Sequence, residues 1–277
     1  MVESFSTVNA VVFYACVVTL GCAELAPGLR RQAARLAQRW PTNIGLFALD
    51  AALLRLCVPV TAVELAHHAR SEAFALLPVD GYAGVVLGIL ALDLWKYLEH
   101  RLMHRVPALW RFHLVHHSDV EVDFTTTGRH HPVEAALSTA ALFALIHVLA
   151  VPPMAVAIFF VSGTAVSLLS HANIRLAERI ERNSGLVIVT PAMHLIHHSV
   201  RRHETDSNYG FILTIWDRIL GTYRAGEDAA PSRAAQLGLE VFRQPAEERI
   251  DRVLWHPFAY RAGTTSRRSR AIDEPAS

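Results

Sequence analysis

Eight histidines occur in three short groups whose spacing predicts a metal site. The groups are His100 and His104; His113, His116 and His117; and His194, His197 and His198. On a helix, residues three or four positions apart share one face, so each group can direct at least two imidazoles to one point. In the two HxxHH groups the third histidine is rotated by about 100° from the second, so one group can serve two neighbouring ions. The pattern predicts a paired metal site.

The residue types restrict the metal to a transition ion. Imidazole binds iron, zinc, copper and nickel, whereas calcium or magnesium needs a cage of oxygen ligands that these segments do not offer. Cys16, Cys22 and Cys57 lie in apolar segments, without the paired spacing of a zinc ribbon or a disulfide framework. A solvated surface helix is the simpler interpretation of a single HxxxH pair, but three groups in one chain favour a metal site.

The composition predicts that membrane helices position these groups. Of the 277 residues, 52% are hydrophobic and 18% are charged, and a net charge of +1 gives no reason to expect a nucleic-acid partner. Five apolar runs are close to the ~20 residues that a transmembrane helix needs. They are 8–23, 44–63, 82–98, 133–150 and 154–170. The first lacks a preceding basic region and is expected to be a retained span. Pro152 and Pro153 separate the last two and predict a helical hairpin.

Charged residues in and beside these runs predict the topology. Asp50 and Arg55 interrupt the second run and are expected to make an internal structural contact. The loop after the first run holds four arginines without an acidic partner, which is typical of a cytoplasmic loop. These arginines are Arg30, Arg31, Arg35 and Arg39. With the N-terminus outside, successive crossings place the loop of Glu64, His67, His68 and Glu72 outside. They place His171 and the three histidine groups on the cytoplasmic side.

The order of the motifs resembles the sterol desaturase and fatty acid hydroxylase superfamily of integral-membrane, non-haem diiron oxygenases. The resemblance rests on DLWKYLEHRLMH at 93–104, HLVHHS at 113–118, RHHPVE at 129–134, HAN at 171–173, HLIHHS at 194–199, DSNYG at 206–210 and WDRILGTY at 216–223. It covers roughly residues 93–223. We expect a single membrane oxygenase domain over residues 1–260 and a disordered tail over residues 261–277, which are polar and basic.

The resemblance implies an all-α fold: an integral-membrane helical bundle of about four to five spans or hairpin helices, with a cytosolic helical cap that holds a His-rich dimetal site. It also implies two iron ions, which zinc can replace in a preparation, and O2 as the oxidant. The chain has no GxGxxG, flavin or haem-attachment motif, so a separate donor is expected to supply electrons, such as a cytochrome b5-like or ferredoxin-type protein. A bacterial-type inner membrane is the expected location.

Carried over motif by motif, the resemblance assigns nine histidines as metal ligands. They are His100, His104, His113, His116, His117, His171, His194, His197 and His198. His131 is expected either to be a further ligand or to orient the cap. Because metal-bound imidazoles need a partner for their second ring nitrogen, eight further residues are expected to support the site, with packing or helix capping as the alternative. These are Asp93, Tyr97, Arg101, Arg129, Glu134, His203, Asp206 and Asn208.

Four other histidines are interpreted without a metal role. His67, His68 and His256 are expected to be solvated, and His130 is expected to be turned away from His131.

The preferred function is hydroxylation of a fatty acyl, alkyl or sterol-like C–H bond of a lipid. Desaturation by the same dimetal site is the alternative, because both reactions begin with removal of a hydrogen atom. Two other classes fit less well. A zinc-dependent membrane hydrolase needs a nearby carboxylate base and far fewer histidines. A noncatalytic metal-binding membrane protein is expected to place its ligands along the spans rather than at one face.

Overall fold

A computed structural model describes residues 2–26, 36–71, 79–225 and 236–261. The N-terminal helices are α1 (Val2–Leu25), α2 (Leu36–Cys57), α3 (Ala62–Ser71) and α4 (Gly81–Arg105). The next are α5 (Pro107–His117), a 3-10 helix (Phe124–Gly128), α6 (Pro132–Leu149) and α7 (Pro153–His171). The C-terminal helices are α8 (Glu178–Ser184), α9 (Pro191–His197), α10 (Arg202–Thr205), α11 (Ile215–Ile219), a 3-10 helix (Pro245–Glu248) and α12 (Ile250–Ala259). In these ranges extended pairing is limited to two isolated β-bridges, so the all-α prediction is confirmed.

Five segments of the described chain are helical, long and apolar enough to cross a membrane, which identifies an integral membrane protein. They are Phe5–Leu25, Leu36–Arg70, Gly81–Arg105, Pro132–Leu149 and Pro153–His171. Apolar side chains project outward from them, for example Val18 and Leu56, which are 64% and 80% exposed. Such faces suit contact with lipid tails rather than water. Four of the five predicted runs are helical almost throughout. The second run, 44–63, is divided between two helices: α2 begins earlier, at Leu36, and ends at Cys57, and α3 begins at Ala62.

Arg39 corrects one expectation, because it is neither in a loop nor without an acidic partner. It lies near the start of α2, is fully buried and pairs with Asp119 and Asp123. Its Nη1 lies 2.8 Å from Oδ2 of Asp123. The prediction was wrong because it considered only neighbours in sequence, whereas Asp119 is 80 positions away. Arg30, Arg31, Arg35, Glu72 and residues 262–277 of the predicted tail lie outside the described residues.

The predicted helical hairpin is confirmed at residues 150–153. Ala150 ends α6 in the left-handed conformation, with φ of 49°, and α7 begins at Pro153. Proline suits the first position of a helix, where its missing N–H would have no partner in the helix. The hairpin returns the chain to the face from which α6 started, so that α7 ends at His171.

Close packing holds α4 against α7. A Cβ atom added to Gly88 would lie 2.9 Å from both the Cβ of Ala155 and the Cγ1 of Val151. Small residues at such a crossing allow membrane helices to approach closely. This contact fixes α4, which carries His100 and His104, relative to the end of α7 at His171.

A buried polar network fastens α5 to α2 and to the C-terminal region. Arg129 is fully buried, and its guanidinium donates to the Val115 carbonyl, the Ser118 hydroxyl, the Asn43 side chain and the Glu248 carboxylate, each at 3.0 Å. Arginine suits this position because its planar group presents several donors in fixed directions. The network holds the end of α5, where the HxxHH group lies.

Replacement of Arg129 by alanine is expected to lower the free energy of unfolding by about 3–5 kcal/mol, because it leaves a buried carboxylate unpaired. Arg129→Lys is expected to recover only part of this loss, since one ammonium cannot reach all four acceptors. Unfolding in neutral detergent, followed by circular dichroism, measures the change. Arg252→Ala is the control, because Arg252 is 62% exposed. Equal stability of the Arg129→Ala and control proteins would contradict the role of the network.

Candidate metal centre

The structure brings the nine predicted histidines together in two groups. The first histidine group contains His100, His104, His113, His117 and His197. The second histidine group contains His116, His171, His194 and His198. Within each group, the nitrogens available for a metal all lie within 4.8 Å of one another. Segments far apart in sequence thus converge at the ends of α4, α5, α7 and α9.

Each HxxHH motif divides its histidines between the two groups. In α5, His117 belongs to the first group and His116 to the second. In and after α9, His197 belongs to the first group and its neighbour His198 to the second. Adjacent side chains on a helix point about 100° apart, which explains the division. The histidines therefore form two neighbouring clusters.

The second histidine group has the spacing of nitrogens around one ion. Nε2 of His171 lies 3.2 Å from Nε2 of His116 and 2.9 Å from Nε2 of His194. Nε2 of His198 lies 3.2 Å from Nε2 of His194. Ligand nitrogens about 2.0–2.1 Å from a metal are about 2.8–3.4 Å apart in octahedral or tetrahedral geometry. The cluster therefore fits a transition ion.

The first histidine group presents buried nitrogens that lack partners. Nε2 of all five histidines is buried without a hydrogen bond to any described residue. A buried polar atom without a partner is costly, and five such atoms around one space indicate a shared ligand. The donor set, nitrogen throughout, suits iron or zinc rather than calcium or magnesium.

In several of these histidines, a hydrogen bond from Nδ1 leaves Nε2 available to bind a metal. The Nδ1 atoms of His100, His171 and His197 contact the carbonyl oxygens of Tyr209, Ser167 and Ser207 at 3.0, 2.8 and 2.7 Å. Since a carbonyl oxygen only accepts, each Nδ1 must carry the proton and donate. Each Nε2 is then unprotonated and carries a lone pair, which is the form in which imidazole binds a metal.

Burial also keeps these imidazoles neutral. Burial, followed by repulsion from neighbouring imidazoles, holds the pKa of His116, His117 and His194 well below its usual range. Burial also holds the pKa of His198 well below its usual range and lowers the pKa of His197 to about 3. Metal binding requires the neutral ring, so the rings are ready to bind near neutral pH.

Glu134 connects the first histidine group to His130. Its Oε1 accepts from Nδ1 of His113 at 2.7 Å and from Nδ1 of His130 at 3.0 Å. The His130 ring stacks on His116, with centroids 4.8 Å apart. Against the effect of burial, the carboxylate raises the pKa of His130. Sequence reasoning gave His130 no role, although its spacing of four residues from Glu134 was a usable signal.

His131 lies outside both groups. Its Nδ1 accepts a hydrogen bond from the N–H of Val133 at 3.1 Å and so caps the start of α6. Its ring packs against Phe112, with centroids 5.0 Å apart. These contacts favour the orienting role over the ligand role.

Three of the predicted supporting residues hold the segment after α9 in place. Asp93 accepts from the N–H groups of Ile212 and Leu213 at 3.0 and 3.2 Å and from Nε1 of Trp216 at 2.8 Å. The hydroxyl of Tyr97 and that of Thr222 are 2.7 Å apart. The Asn208 amide donates to the carbonyls of Met193 and Arg224 at 3.1 and 2.9 Å. Asp93 and Asn208 thus hold backbone groups around the site, and Tyr97 holds the Thr222 side chain.

The other predicted supporting residues differ in their distance from the rings. Oδ1 of Asp206 lies 3.6 Å from Nδ1 of His104, beyond ordinary hydrogen-bond length. Arg129 belongs to the network that holds α5. His203 lies exposed on α10, and Arg101 lies half-buried on α4 beside His100.

Asp217 is a supporting residue that sequence reasoning did not identify. It accepts from the N–H groups of Tyr209 and Gly210, each at 2.8 Å, and from the Thr222 hydroxyl at 2.6 Å. It therefore fixes the backbone of Tyr209, whose carbonyl accepts a hydrogen bond from Nδ1 of His100. The sequence around Asp217 carries no local signal that its carboxylate accepts hydrogen bonds from the backbone.

For three histidines outside the site, the predicted exposure to solvent is only partly confirmed. His67 and His68 are exposed, as predicted, but they lie on α3 rather than in a loop. The prediction that His256 is solvated was wrong, because it is 1% exposed and stacks on Phe242 with centroids 3.9 Å apart. Burial lowers the pKa of His256 to about 3.

Two cavities connect the histidines with the interior of the helical bundle. The histidine cavity has a volume of about 470 Å³ and is lined by members of both histidine groups. The apolar cavity has a volume of about 790 Å³ and is lined largely by α1, α6 and α7, including Phe13, Phe143 and Phe160. Phe47, Ser138 and Phe211 line both cavities. An elongated molecule with one apolar end can thus extend from the bundle to the histidines.

Comparison with known proteins agrees with the site geometry. Residues 85–222 match the model of the fatty acid hydroxylase family, and this range contains both histidine groups. An ornithine lipid hydroxylase of Rhizobium tropici is 35% identical over 143 residues, which cover 50% of this chain and 41% of that protein. The alkylglycerol monooxygenase of Homo sapiens is 30% identical over 152 residues, which cover 54% of this chain and 32% of that protein.

The matched region spans less than half the length of these two relatives. No solved structure matches this chain significantly. The family model nevertheless covers about half of the chain and coincides with the segments whose motifs and histidines converge in the structure. The chain belongs to the fatty acid hydroxylase family, within the sterol desaturase and fatty acid hydroxylase superfamily.

Proposed function

We propose that this chain is a membrane-bound, non-haem diiron oxygenase that uses O2 and external electrons to hydroxylate a C–H bond of a lipid. The observation that carries the proposal is the pair of adjacent histidine groups, with Nε2 atoms that face one another or lack partners. The two named relatives are a lipid hydroxylase and a monooxygenase of alkylglycerols, which supports the reaction type and a lipid substrate.

The nine histidines would hold the two ions, one in each histidine group. When bound, the iron pair supplies the redox chemistry for attack on an unactivated C–H bond, which amino-acid side chains lack. The protein keeps the rings neutral through burial and oriented through carbonyl and carboxylate acceptors. Zinc can replace iron in a preparation.

The remaining residues would hold and position the substrate. The apolar cavity suits a lipid tail, and the histidine cavity suits the carbon that reacts. Burial of the histidines excludes bulk water, which strengthens electrostatic interactions at the site. The metal site faces the cytoplasm of a bacterial-type inner membrane in this proposal, where a cytochrome b5-like or ferredoxin-type donor supplies electrons.

Purified, iron-loaded protein in lipid nanodiscs tests the proposal. With O2, a reductant and ornithine lipid or alkylglycerol as candidate substrates, O2 uptake should depend on lipid, and the product should gain the mass of one oxygen atom. Loss of two hydrogens instead would identify a desaturase. Lipid hydrolysis by zinc-loaded protein, with no O2 uptake by the iron form, would contradict an oxygenase.

A further inference from the structure

The histidine cavity contains ionisable side chains besides the histidines. Asp50, Lys96, Glu99 and Glu134 all line it. Glu99 forms an ion pair with Lys96, which also donates to the Ser138 hydroxyl at 3.0 Å. Glu134 accepts from two histidines. Two of the three carboxylates therefore already have partners.

Asp50 differs from these neighbours. It lies within α2, is only 7% exposed and lines the cavity, yet its Oδ1 has no hydrogen-bond partner among the described residues. The internal contact expected from the sequence is thus missing at this atom. Arg55, the other charge in this run, donates instead to the Pro59 carbonyl at 3.2 Å.

A buried carboxylate oxygen without a hydrogen-bond partner needs a physical reason. Removal of an ionised group from water is costly unless an opposite charge or hydrogen-bond donors compensate. Lys96 is paired with Glu99 and His130 is hydrogen-bonded to Glu134. The charge of His130 acts on Asp50 through space, but neither basic residue donates a hydrogen bond to Oδ1 of Asp50. Ionisable residues inside membrane proteins commonly face cavities and mark substrate paths. The missing partner is therefore expected to arrive with the ligand.

The neighbourhood of Asp50 identifies the end of the ligand that would bind there. Phe47, about one turn before Asp50 on α2, lines both cavities. The apolar cavity beyond it is lined mainly by apolar side chains. Its basic lining residues, Lys96 and His130, are ones that it shares with the histidine cavity. A lipid tail fits that side, which leaves the polar head group at Asp50.

We infer that Asp50 binds a protonated amine in the head group of the lipid substrate. The inference rests on the proposed function and names its substrate class: an amine-bearing lipid, held by an ammonium–carboxylate contact in the histidine cavity. Asp50 is then a specificity-determining residue. Because Oδ1 is buried and has no hydrogen-bond partner, an ammonium group would donate a charge-assisted hydrogen bond to it. A neutral hydroxyl would donate only a weaker hydrogen bond.

Binding of dodecylamine and dodecanol tests this inference without turnover. The two probes share a chain length, but only the amine is cationic at neutral pH. Isothermal titration uses iron-loaded, full-length protein in neutral detergent without reductant, with partition into empty micelles subtracted. The wild type is expected to prefer dodecylamine by about tenfold or more. In Asp50→Asn the ratio of the affinities for dodecylamine and dodecanol should fall to about one, whereas Asp50→Glu should retain most of the preference for the amine.

The controls separate a specific role from a general effect of charge. Asp251→Asn removes an exposed carboxylate on α12 and should leave the preference unchanged. Iron content and gel filtration should be the same for Asp50→Asn and wild type. A wild type without preference for the amine, or a preference that survives in Asp50→Asn, would overturn the inference.

The outcomes distinguish this inference from the proposed function. If the amine preference depends on Asp50 but no lipid is hydroxylated, the binding role stands and the oxygenase proposal fails. If the protein hydroxylates neutral alkylglycerol and ornithine lipid equally well, and Asp50→Asn does not change the ratio of their kcat/KM values, the oxygenase stands and the role of Asp50 fails.

Discussion

Replacement of His197 by alanine is expected to remove one of the two bound irons and nearly all lipid hydroxylation. Nε2 of His197 is one of five buried, unpartnered nitrogens in the first histidine group. Loss of a ligand should cost more than the roughly 10- to 100-fold that loss of a ligand's hydrogen-bond partner costs. Iron per chain, measured by mass spectrometry, and turnover with a lipid substrate check this.

Two further variants make the test specific. His116→Ala removes a member of the second histidine group and is expected to have an equally large effect, since the two ions act together. His67→Ala removes an exposed histidine on α3, outside both groups, and should leave iron content and turnover unchanged. Full activity in His197→Ala, or equal losses in all three variants, would contradict the assignment of the ligands.

Replacement of Glu134 by glutamine is expected to weaken iron binding and turnover by about 10- to 100-fold. The Glu134 carboxylate accepts from His113 and His130 at 2.7 and 3.0 Å, so it orients one ring of the first histidine group and the ring stacked on His116. Glutamine keeps the size of the side chain but not its charge. Competition with a chelator measures the apparent affinity for iron.

Asp206→Asn provides the matched comparison for Glu134→Gln. The Asp206 carboxylate lies 3.6 Å from His104, which is too far for an ordinary hydrogen bond, so its effect should be the smaller one. If Asp206→Asn were the more damaging substitution, Glu134 would not be the main carboxylate that orients the site.

Features encoded by local spacing could be predicted from the sequence. The rotation between adjacent helical residues predicted that His116 and His117 would separate, as would His197 and His198. Continuous apolar runs predicted the spans, and Pro152 and Pro153 predicted the hairpin. Each of these depends on a few neighbouring residues, whose relative directions follow from helix geometry alone.

Features that depend on distant contacts were missed. Arg39 meets Asp119 across 80 positions, and Asp217 gains its role only because the loop at Tyr209 folds over it. His256 resembles a solvated residue near the tail, yet its ring is buried against Phe242. No periodicity marks such contacts, since tertiary packing decides which polar group finds which partner.

The most direct test of the account is the metal content and X-ray absorption spectrum of protein purified with iron. We expect about two ions per chain, each bound mainly by imidazole nitrogens at about 2.0–2.2 Å, and an iron–iron signal from neighbouring sites. A single ion per chain, or ligation mainly by oxygen or sulfur, would contradict it.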